Sequence, residues 1–312
     1  MRQISVIIVS WNACSYLRNC LYSIREMGVS QAPEVIVVDN ASNDGSAEMV
    51  AKEFPEAKLI RSPENLGFAR ANNLGMKHAT GLYLAFINSD VVVHSGCFER
   101  LIRYMEAHPE AGLAGPKIWG GDGRLQRTCR RLPTVWNTMC STLALERLFP
   151  HWPLFSGFEM RHLNDDTPTE VEALSGCFWL ARRLSVEKVG GLDERFFFYA
   201  EDVDWCKRFK EAGYIIIFLP NATAIHFGGG SSSNAPLRFS IEILRANFLY
   251  WKKHHGLIGW VVFYLFSIVY HGLRFAVRGV LKIMGISNGV ESKYKLKEHA
   301  ICLRWLFTGK GA

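Results

Sequence analysis

The sequence predicts an α/β fold: a doubly wound, mostly parallel sheet that continues into a helical, basic C-terminal region. Two observations predict the sheet and a third the tail. Over residues 4–88, short apolar β-branched runs alternate with helical stretches, the rhythm of βαβ units. The runs are apolar at consecutive positions, as in strands covered on both faces. Charge is divided unevenly: residues 1–234 carry 24 Lys and Arg against 26 Asp and Glu, whereas residues 235–312 carry 12 against 3.

Residues 4–9 (Ile-Ser-Val-Ile-Ile-Val) form the first predicted strand. Leu17, Leu21 and Ile24 then recur at helical spacing, and Gly28 stops that helix. Residues 35–38 read as a second buried strand ending at Asp39. The turn-forming run Asn40-Ala41-Ser42-Asn43-Asp44-Gly45 follows, with Ser46 as the expected cap of the next helix. A weak third strand over 58–61, a helix over 68–79 and a fourth strand over 82–87 lead to Asn88-Ser89-Asp90. Ligands of such sheets sit beyond the carboxyl ends of the strands. Ser10-Trp11-Asn12, Asp39 and Asn88-Ser89-Asp90 all fall there.

Residues 120–155, with Gly-Gly-Asp-Gly, several Arg and scattered Trp and Pro, read as a long loop or mobile insertion. Order returns with a strand over 171–182, a helix from Glu201 and strands over 214–219 and 222–226. A Gly-Ser hinge over 228–233 and helices from Leu237 complete the chain. The expected organisation is a sheet domain over 1–235, its nucleotide-binding half about 1–118 and its acceptor half about 171–235, then a helical region over 236–312.

The basic tail has two readings, nucleic acid or anionic lipid. Its charges flank residues 256–273, which hold no Lys, Arg, Asp or Glu, and that favours a membrane surface over nucleic acid. The 14 apolar residues 257–270 fall short of the roughly 20 that a spanning helix needs, so a helix lying in or re-entering the interface is expected across about 237–284. Arg274 and Arg278 would face lipid phosphates, and an oligomer contact is the competing use of the same surface. Met1-Arg2-Gln3 runs straight into a strand pattern, so no signal peptide is expected. Eight cysteines without a C-x-x-C pair predict reduced, mostly buried thiols in the cytoplasm.

The strongest candidate constellation is split across three places, Asn88-Ser89-Asp90, Glu201-Asp202 with Asp204, and His226. Asp90 and His226 make a plausible Mn²⁺ or Mg²⁺ pair, because a cation bridging a diphosphate takes hard oxygen ligands and tolerates an imidazole. Glu201 and Asp202, with Asp204, open a helix whose dipole favours an ionised carboxylate, suited to general-base work. The stretch Asn65 to Asn73, with Arg70, opens another helix whose N–H groups can receive phosphate. Each also has a plain structural use: strand-end Asp forms turns, acidic pairs cap helices. There is no P-loop and no G-x-G-x-x-G after a strand, which removes the main support for NTPase and dinucleotide readings.

Taken in order, eight short segments resemble family 2 glycosyltransferases, which have the GT-A fold, and within them the rhamnosyltransferase-like branch. They are Val-Ser-Trp-Asn (9–12), Val-Val-Asp-Asn-Ala-Ser (37–42), Asn-Leu-Gly-Phe-Ala (65–69) with Asn73, Asn-Ser-Asp (88–90), Leu-Ser-Gly-Cys (174–177), Gly-Gly-Leu-Asp-Glu-Arg-Phe-Phe (190–197), Tyr-Ala-Glu-Asp-Val-Asp (199–204) and His-Phe-Gly-Gly-Gly-Ser (226–231). The resemblance implies an inverting, metal-dependent transfer of a sugar from a nucleotide donor. Val9, Ser10, Trp11, Asn12 and Asp39 would hold the nucleoside, Trp11 stacking on the base and Asp39 bonding its edge. Asn65, Arg70, Asn73, Asn88 and Ser89 would line the donor site. Asp90 would end the metal-binding element with His226 as its late ligand, and Asp202 would be the base with Glu201 near the acceptor.

Position 88 is Asn where many members have Asp, which removes one carboxylate from the expected metal element. The branch implies dTDP-L-rhamnose as donor; a UDP-hexose or UDP-N-acetylhexosamine is the alternative, and a non-catalytic membrane-bound relative a remote one. The implied acceptor is a saccharide or lipid-linked saccharide of cell-surface polysaccharide synthesis, at the cytoplasmic face of the membrane.

Overall fold

The computed structural model describes residues 3–26, 32–149, 152–155, 157–160, 163, 165–228, 236–286 and 289–309. Of the expected 228–233 hinge, residues 229–233 lie outside the described residues. The chain divides into two compact units: Met1–Leu132 with Leu163–Phe197 and Glu201–Ser233, and Pro133–His162 with Phe198–Ala200 and Asn234–Ala312.

The first unit is built on a ten-stranded sheet. Strands β1 (Ile4–Ser10), β2 (Glu34–Asp39), β3 (Lys58–Arg61) and β4 (Tyr83–Asn88) are parallel, in the order β3-β2-β1-β4. Val6, Ile7 and Ile8 are all fully buried, which is why β1 is apolar at consecutive positions. Helices α1 (Cys14–Arg25), α2 (Ser46–Glu53) and α3 (Gly67–Met76) make the crossovers. The cap of α2 differs from expectation. Gly45 takes the N-cap position at φ +82°, and Asp44 Oδ1 accepts from Ser46 N (3.1 Å), so the earlier Asp supplies the oxygen.

Beyond β4 the sheet continues β11-β6-β12-β5. Here β11 (Phe178–Arg182) is antiparallel to both β4 and β6 (Ala111–Gly120), and β12 (Ile215–His226) is parallel to β6. The short β5 (Val91–Val93) lies antiparallel on the end of β12, β7 (Leu125–Gln126) hairpins onto β6, and β9 (Thr169–Val171) pairs with β12. A small second sheet pairs β8 (Cys129–Arg130) with β10 (Ala173–Leu174). Helices α4 (Cys97–Ala107), α7 (Arg183–Val189) and α8 (Glu201–Glu211) complete the unit. The two strands expected over 214–226 are one, carried past Pro220 by a register shift between Leu219 and Thr223. The strand expected over 171–182 is three pieces, interrupted at Ser175-Gly176-Cys177. All eight cysteines are free thiols and seven are buried, Cys14 being half-buried.

The second unit is helical and takes in much of the stretch expected as a loop. Helix α5 (Val135–Thr142) begins with a capping box between Thr134 and Asn137, and α6 (Leu145–Leu148) and a 3₁₀ turn (Pro153–Phe155) follow. Helix α9 (Pro236–Ile283) is broken once, at Gly256 (φ +66°), and α10 (Val290–Thr308) packs against it through a His271–His299 Nδ1···Nδ1 contact of 3.1 Å. Helix α5 lies along α9: His255 Nε2 is 3.2 Å from Pro133 O, and Arg274 donates to the Thr142 and Ser141 carbonyls.

Helix α9 is long and apolar enough to cross a membrane, so the 14-residue apolar run understates it. Its polarity is inside out. Ile258, Val261, Leu265, Val269, Leu273, Val277, Val280 and Met284 form one exposed stripe at helical spacing, while Ser267 and His271 are buried.

Candidate active site

Strand register assembles the donor end. Ser10 lies opposite Asp39, and Val9 opposite Asn88, so four predicted residues share one end of the sheet. Asn12 (φ +51°) bends the chain after β1, bonding Ser42 Oγ through its own N–H (3.0 Å) and accepting from Asn43 N (2.9 Å). Asp39 is buried; its Oδ2 accepts from Ser42 N (3.3 Å), while Oδ1 has no partner, and neither has the buried Ser10 Oγ. Buried polar atoms without partners are costly unless a ligand supplies one. They lie at the carboxyl ends of β1 and β2, where ligands of such sheets bind.

Asn65 reaches this edge indirectly. Its Oδ1 accepts from Asn40 Nδ2 and Gly67 N, both at 2.9 Å, and Asn40 Oδ1 accepts from Leu66 N (2.8 Å). Gly67 is a glycine for two reasons. Its φ is +77°, and a Cβ there would stand 2.3 Å from the Phe197 carbonyl oxygen, which accepts from Phe68 N (2.7 Å). That close approach holds the donor segment against the chain leading to α8.

Asn73 has other partners than a donor. Its Nδ2 donates to Leu192 O (2.8 Å) and Glu194 Oε1 (3.0 Å), and its Oδ1 accepts from Leu192 N (2.9 Å), clamping the loop before Phe197. Arg70 is half-exposed on α3, 3.9 Å from Glu194. Both sit behind the donor edge.

The metal pair does converge. The β5–β12 pairing sets Val91 opposite His226, and Phe227 N donates to Asp90 O (3.0 Å). That leaves His226 Nε2 3.2 Å from Asp90 Oδ1 and 3.4 Å from Asn88 Nδ2. His226 Nδ1 is 2.9 Å from Gln126 Oε1, an atom that only accepts, so the ring proton belongs on Nδ1. Nε2 then faces both the Asp90 carboxylate and the Asn88 amide, a separation that either a proton or a divalent ion between imidazole and carboxylate satisfies. The residues therefore fit a divalent ion with two protein donors, the remainder coming from phosphate and water. Among the described residues no group of three or more His, Cys, Asp or Glu gathers.

The third place adjoins the first two. Asn88 N donates to Cys177 O (3.0 Å), and a Cβ on the neighbouring Gly176 would lie 3.6 Å from Asp202 Cβ. That ordinary contact distance puts Asp202 beside the segment whose Cys177 carbonyl holds Asn88. Asp202 Oδ1 accepts from Val203 N (2.8 Å) at the start of α8. Burial pushes the Asp202 carboxyl above the usual range, opposed by the Val203 N–H and the Arg130 charge. Glu201 is pushed well above it, by burial first and by Asp202 second, and its Oε2 has no partner. Asp204 is structural: fully buried, it pairs with Arg208 (3.0 Å), which also holds the Val189 and Gly191 carbonyls.

Backbone strain marks the same segments. Among the described residues five non-glycines have left-handed φ, and four of them (Asn12, Ala41, Tyr199, Ala200) lie beside the donor edge or just before α8. Each such residue costs about 1–2 kcal/mol, and strain of this kind collects where side chains must be aimed. Sequence reasoning missed Gln126 and Arg130. Nothing local marks Gln126; the Arg127, Arg130 and Arg131 cluster was the available signal for Arg130.

The strand order and flanking helices are those of GT-A enzymes. A mannosyltransferase from Pyrobaculum calidifontis, solved with GDP-Man and Mn²⁺, superposes with a TM-score of 0.56 at 16% identity, covering 98% of this chain and 88% of its own. S. aureus TarS residues 1–349, solved with UDP, gives 0.55 at 15% identity over 99% and 92%. The fold is thus GT-A. The chain belongs to glycosyl transferase family 2, whose model matches residues 5–190. Among curated relatives, an N-acetylglucosaminyl-diphospho-decaprenol L-rhamnosyltransferase of Mycobacterium tuberculosis is 25% identical over 266 residues, 82% of this chain and 85% of its own length. Glycosyltransferase AglE of Haloferax volcanii is 25% identical over 228 residues, 72% and 66%.

Proposed function

We propose that the enzyme transfers L-rhamnose from dTDP-L-rhamnose, with inversion, to a lipid-diphosphate-linked saccharide in cell-envelope polysaccharide synthesis. The observation that carries the reaction is the meeting of Asp90 with His226 beside the strand edge that bears the partnerless Asp39 and Ser10 oxygens. The rhamnosyltransferase relative supports the sugar and the acceptor class.

In this reading Ser10, Trp11 and Asp39 bind the nucleoside, and Asn65 holds the loop that closes over it. Asp90 and His226 would hold Mn²⁺ or Mg²⁺, which neutralises charge on the departing diphosphate. Asp202 takes the proton of the attacking acceptor hydroxyl as the new glycosidic bond forms and the sugar–phosphate bond breaks on the opposite face. The raised affinity of Asp202 for a proton suits a base that must accept one near neutral pH. Glu201, adjacent and desolvated, binds the acceptor.

In the same reading the enzyme works at the cytoplasmic face of the membrane, with α9 as its contact. An apolar stripe turned outward and polar groups turned inward suit a helix with lipid on one side. Arg274, Arg278 and Lys282 interrupt its second half, which favours lying in the interface over crossing it.

A thermal-shift panel of nucleotide sugars with and without Mn²⁺ tests donor and metal together, since ligands of the native state raise the melting temperature. dTDP-L-rhamnose with Mn²⁺ should give the largest shift. A larger shift with a UDP-hexose would replace the donor, and shifts indifferent to Mn²⁺ would remove the cation.

A further inference from the structure

We propose that the insertion containing α5, α6 and the turn after them is a second membrane anchor, an aromatic foot seated at the headgroup–acyl boundary of an anionic bilayer. It rests on the membrane reading of α9, and the experiment below separates the two.

The insertion builds an apolar cluster and then leaves it outside. Phe149, Trp152 and Phe155 pack ring to ring with centroids 5.1–6.0 Å apart, and Trp136 lies 6.1 Å from Phe155. The Trp136 Nε1–H bonds Leu154 O (2.7 Å), which fastens the turn back onto α5. Yet Leu148 is 69% exposed, Trp152 60% and Leu154 59%. Four aromatic rings held in place by one another, with large apolar faces still in the open, form a patch of the kind that marks a docking surface.

Charge selects the occupant. The unit that contains this insertion holds fourteen Lys and Arg against five Asp and Glu; the excess lies on residues 234–312, with twelve against three, while the insertion itself balances two against two. Arg147 is exposed beside Leu148, and Arg274 of α9 bonds the last carbonyls of α5. Within the same unit α9 bears its exposed apolar stripe. Tryptophan at an open apolar face, in one unit with the basic helices α9 and α10, is the composition of a membrane–water boundary.

The test uses the full chain with vesicles of phosphatidylcholine and phosphatidylglycerol in which part of the lipid is brominated. The Trp152 signal is the difference between wild type and Trp152→Phe, which keeps the ring cluster. Expected is loss of about half or more of that signal with bromine near the headgroups, and little loss with bromine near the bilayer centre. Leu148→Ser with Leu154→Ser should weaken flotation with anionic vesicles at least about tenfold, with an unchanged near-ultraviolet spectrum showing that the fold is kept. If the protein floats but Trp152 stays unquenched and open to iodide, the foot is refuted and the α9 reading stands. If the protein does not float at all, both fall. If the double variant floats normally but loses a dimer seen by sedimentation, the patch is a contact between copies and the proposal is wrong.

Discussion

Gln126 is the most direct lever on the site. Its Oε1 lies 2.9 Å from His226 Nδ1, fixing which ring nitrogen carries the proton and turning Nε2 toward Asp90, 3.2 Å away. Gln126→Leu keeps the bulk of a half-buried side chain and removes the acceptor. The imidazole is then free to rotate or to change tautomer, and loss of such an orienting partner weakens metal binding about 10–100-fold, or roughly 1.4–2.7 kcal/mol. Titration calorimetry of Mn²⁺ into enzyme saturated with dTDP reads this directly. Gln126→Glu serves as the control, since a carboxylate accepts the same bond and should hold or tighten the affinity. His226→Ala sets the ceiling and should lose more than Gln126→Leu. Wild-type affinity in Gln126→Leu beside a weak His226→Ala would show that the ring is oriented by something else. Unchanged affinity in both would take the cation away from His226.

Three further outcomes follow from the site and its supports. Asp202→Asn keeps the oxygen that accepts from Val203 N but cannot take a proton, so turnover should fall to near background while dTDP-sugar binding persists; retained turnover removes Asp202 as base. Because burial raises the Asp202 and Glu201 carboxyls in the folded state, their ionisation opposes folding as pH climbs from the ordinary carboxylate range through the raised values. Asp202→Asn should therefore melt higher than wild type at neutral pH and lose that advantage in acid, and the acid limb of kcat/KM should lie above that of an ordinary carboxylate. An equal melting temperature at every pH would contradict this. Gly67→Ala places a Cβ 2.3 Å from Phe197 O at φ +77°, and should cost at least about 2 kcal/mol in chemical denaturation and raise the donor KM; wild-type stability would mean that the contact yields freely.

Much of this was legible in the residues because the signals were local. The β1 run is apolar at consecutive positions since both its faces are covered, and its polar end is where the chain leaves the sheet. The segments 9–12, 37–42 and 88–90 belong to one edge because parallel strands side by side must present the same ends. What stayed hidden depends on contacts between distant parts. Gln126 matters only because a two-residue strand folds onto β6, and no local pattern announces it. Asn73 looks like a donor ligand in a segment rich in Asn, yet the structure spends its amide on Leu192 and Glu194, 119 and 121 residues away. The 120–155 region lacks periodicity because its helices are short, and its aromatic residues pack on each other in the helical unit.

The site uses its carboxyls in two different surroundings. Asp90 faces the Nε2 edge of His226, the corner that in the proposed function would take a cation and the phosphate with it. Glu201 and Asp202 sit in the opposite condition, short of water and close to each other, where a proton is welcome. Asn88 lies between these corners, its backbone bonded to Cys177 and its amide reaching His226. An aspartate there would bring negative charge to both, strengthening the cation's hold but making Asp202 harder to ionise. The neutral amide avoids that coupling, and so the departure from the family's usual carboxylate is compatible with a base and a cation working side by side.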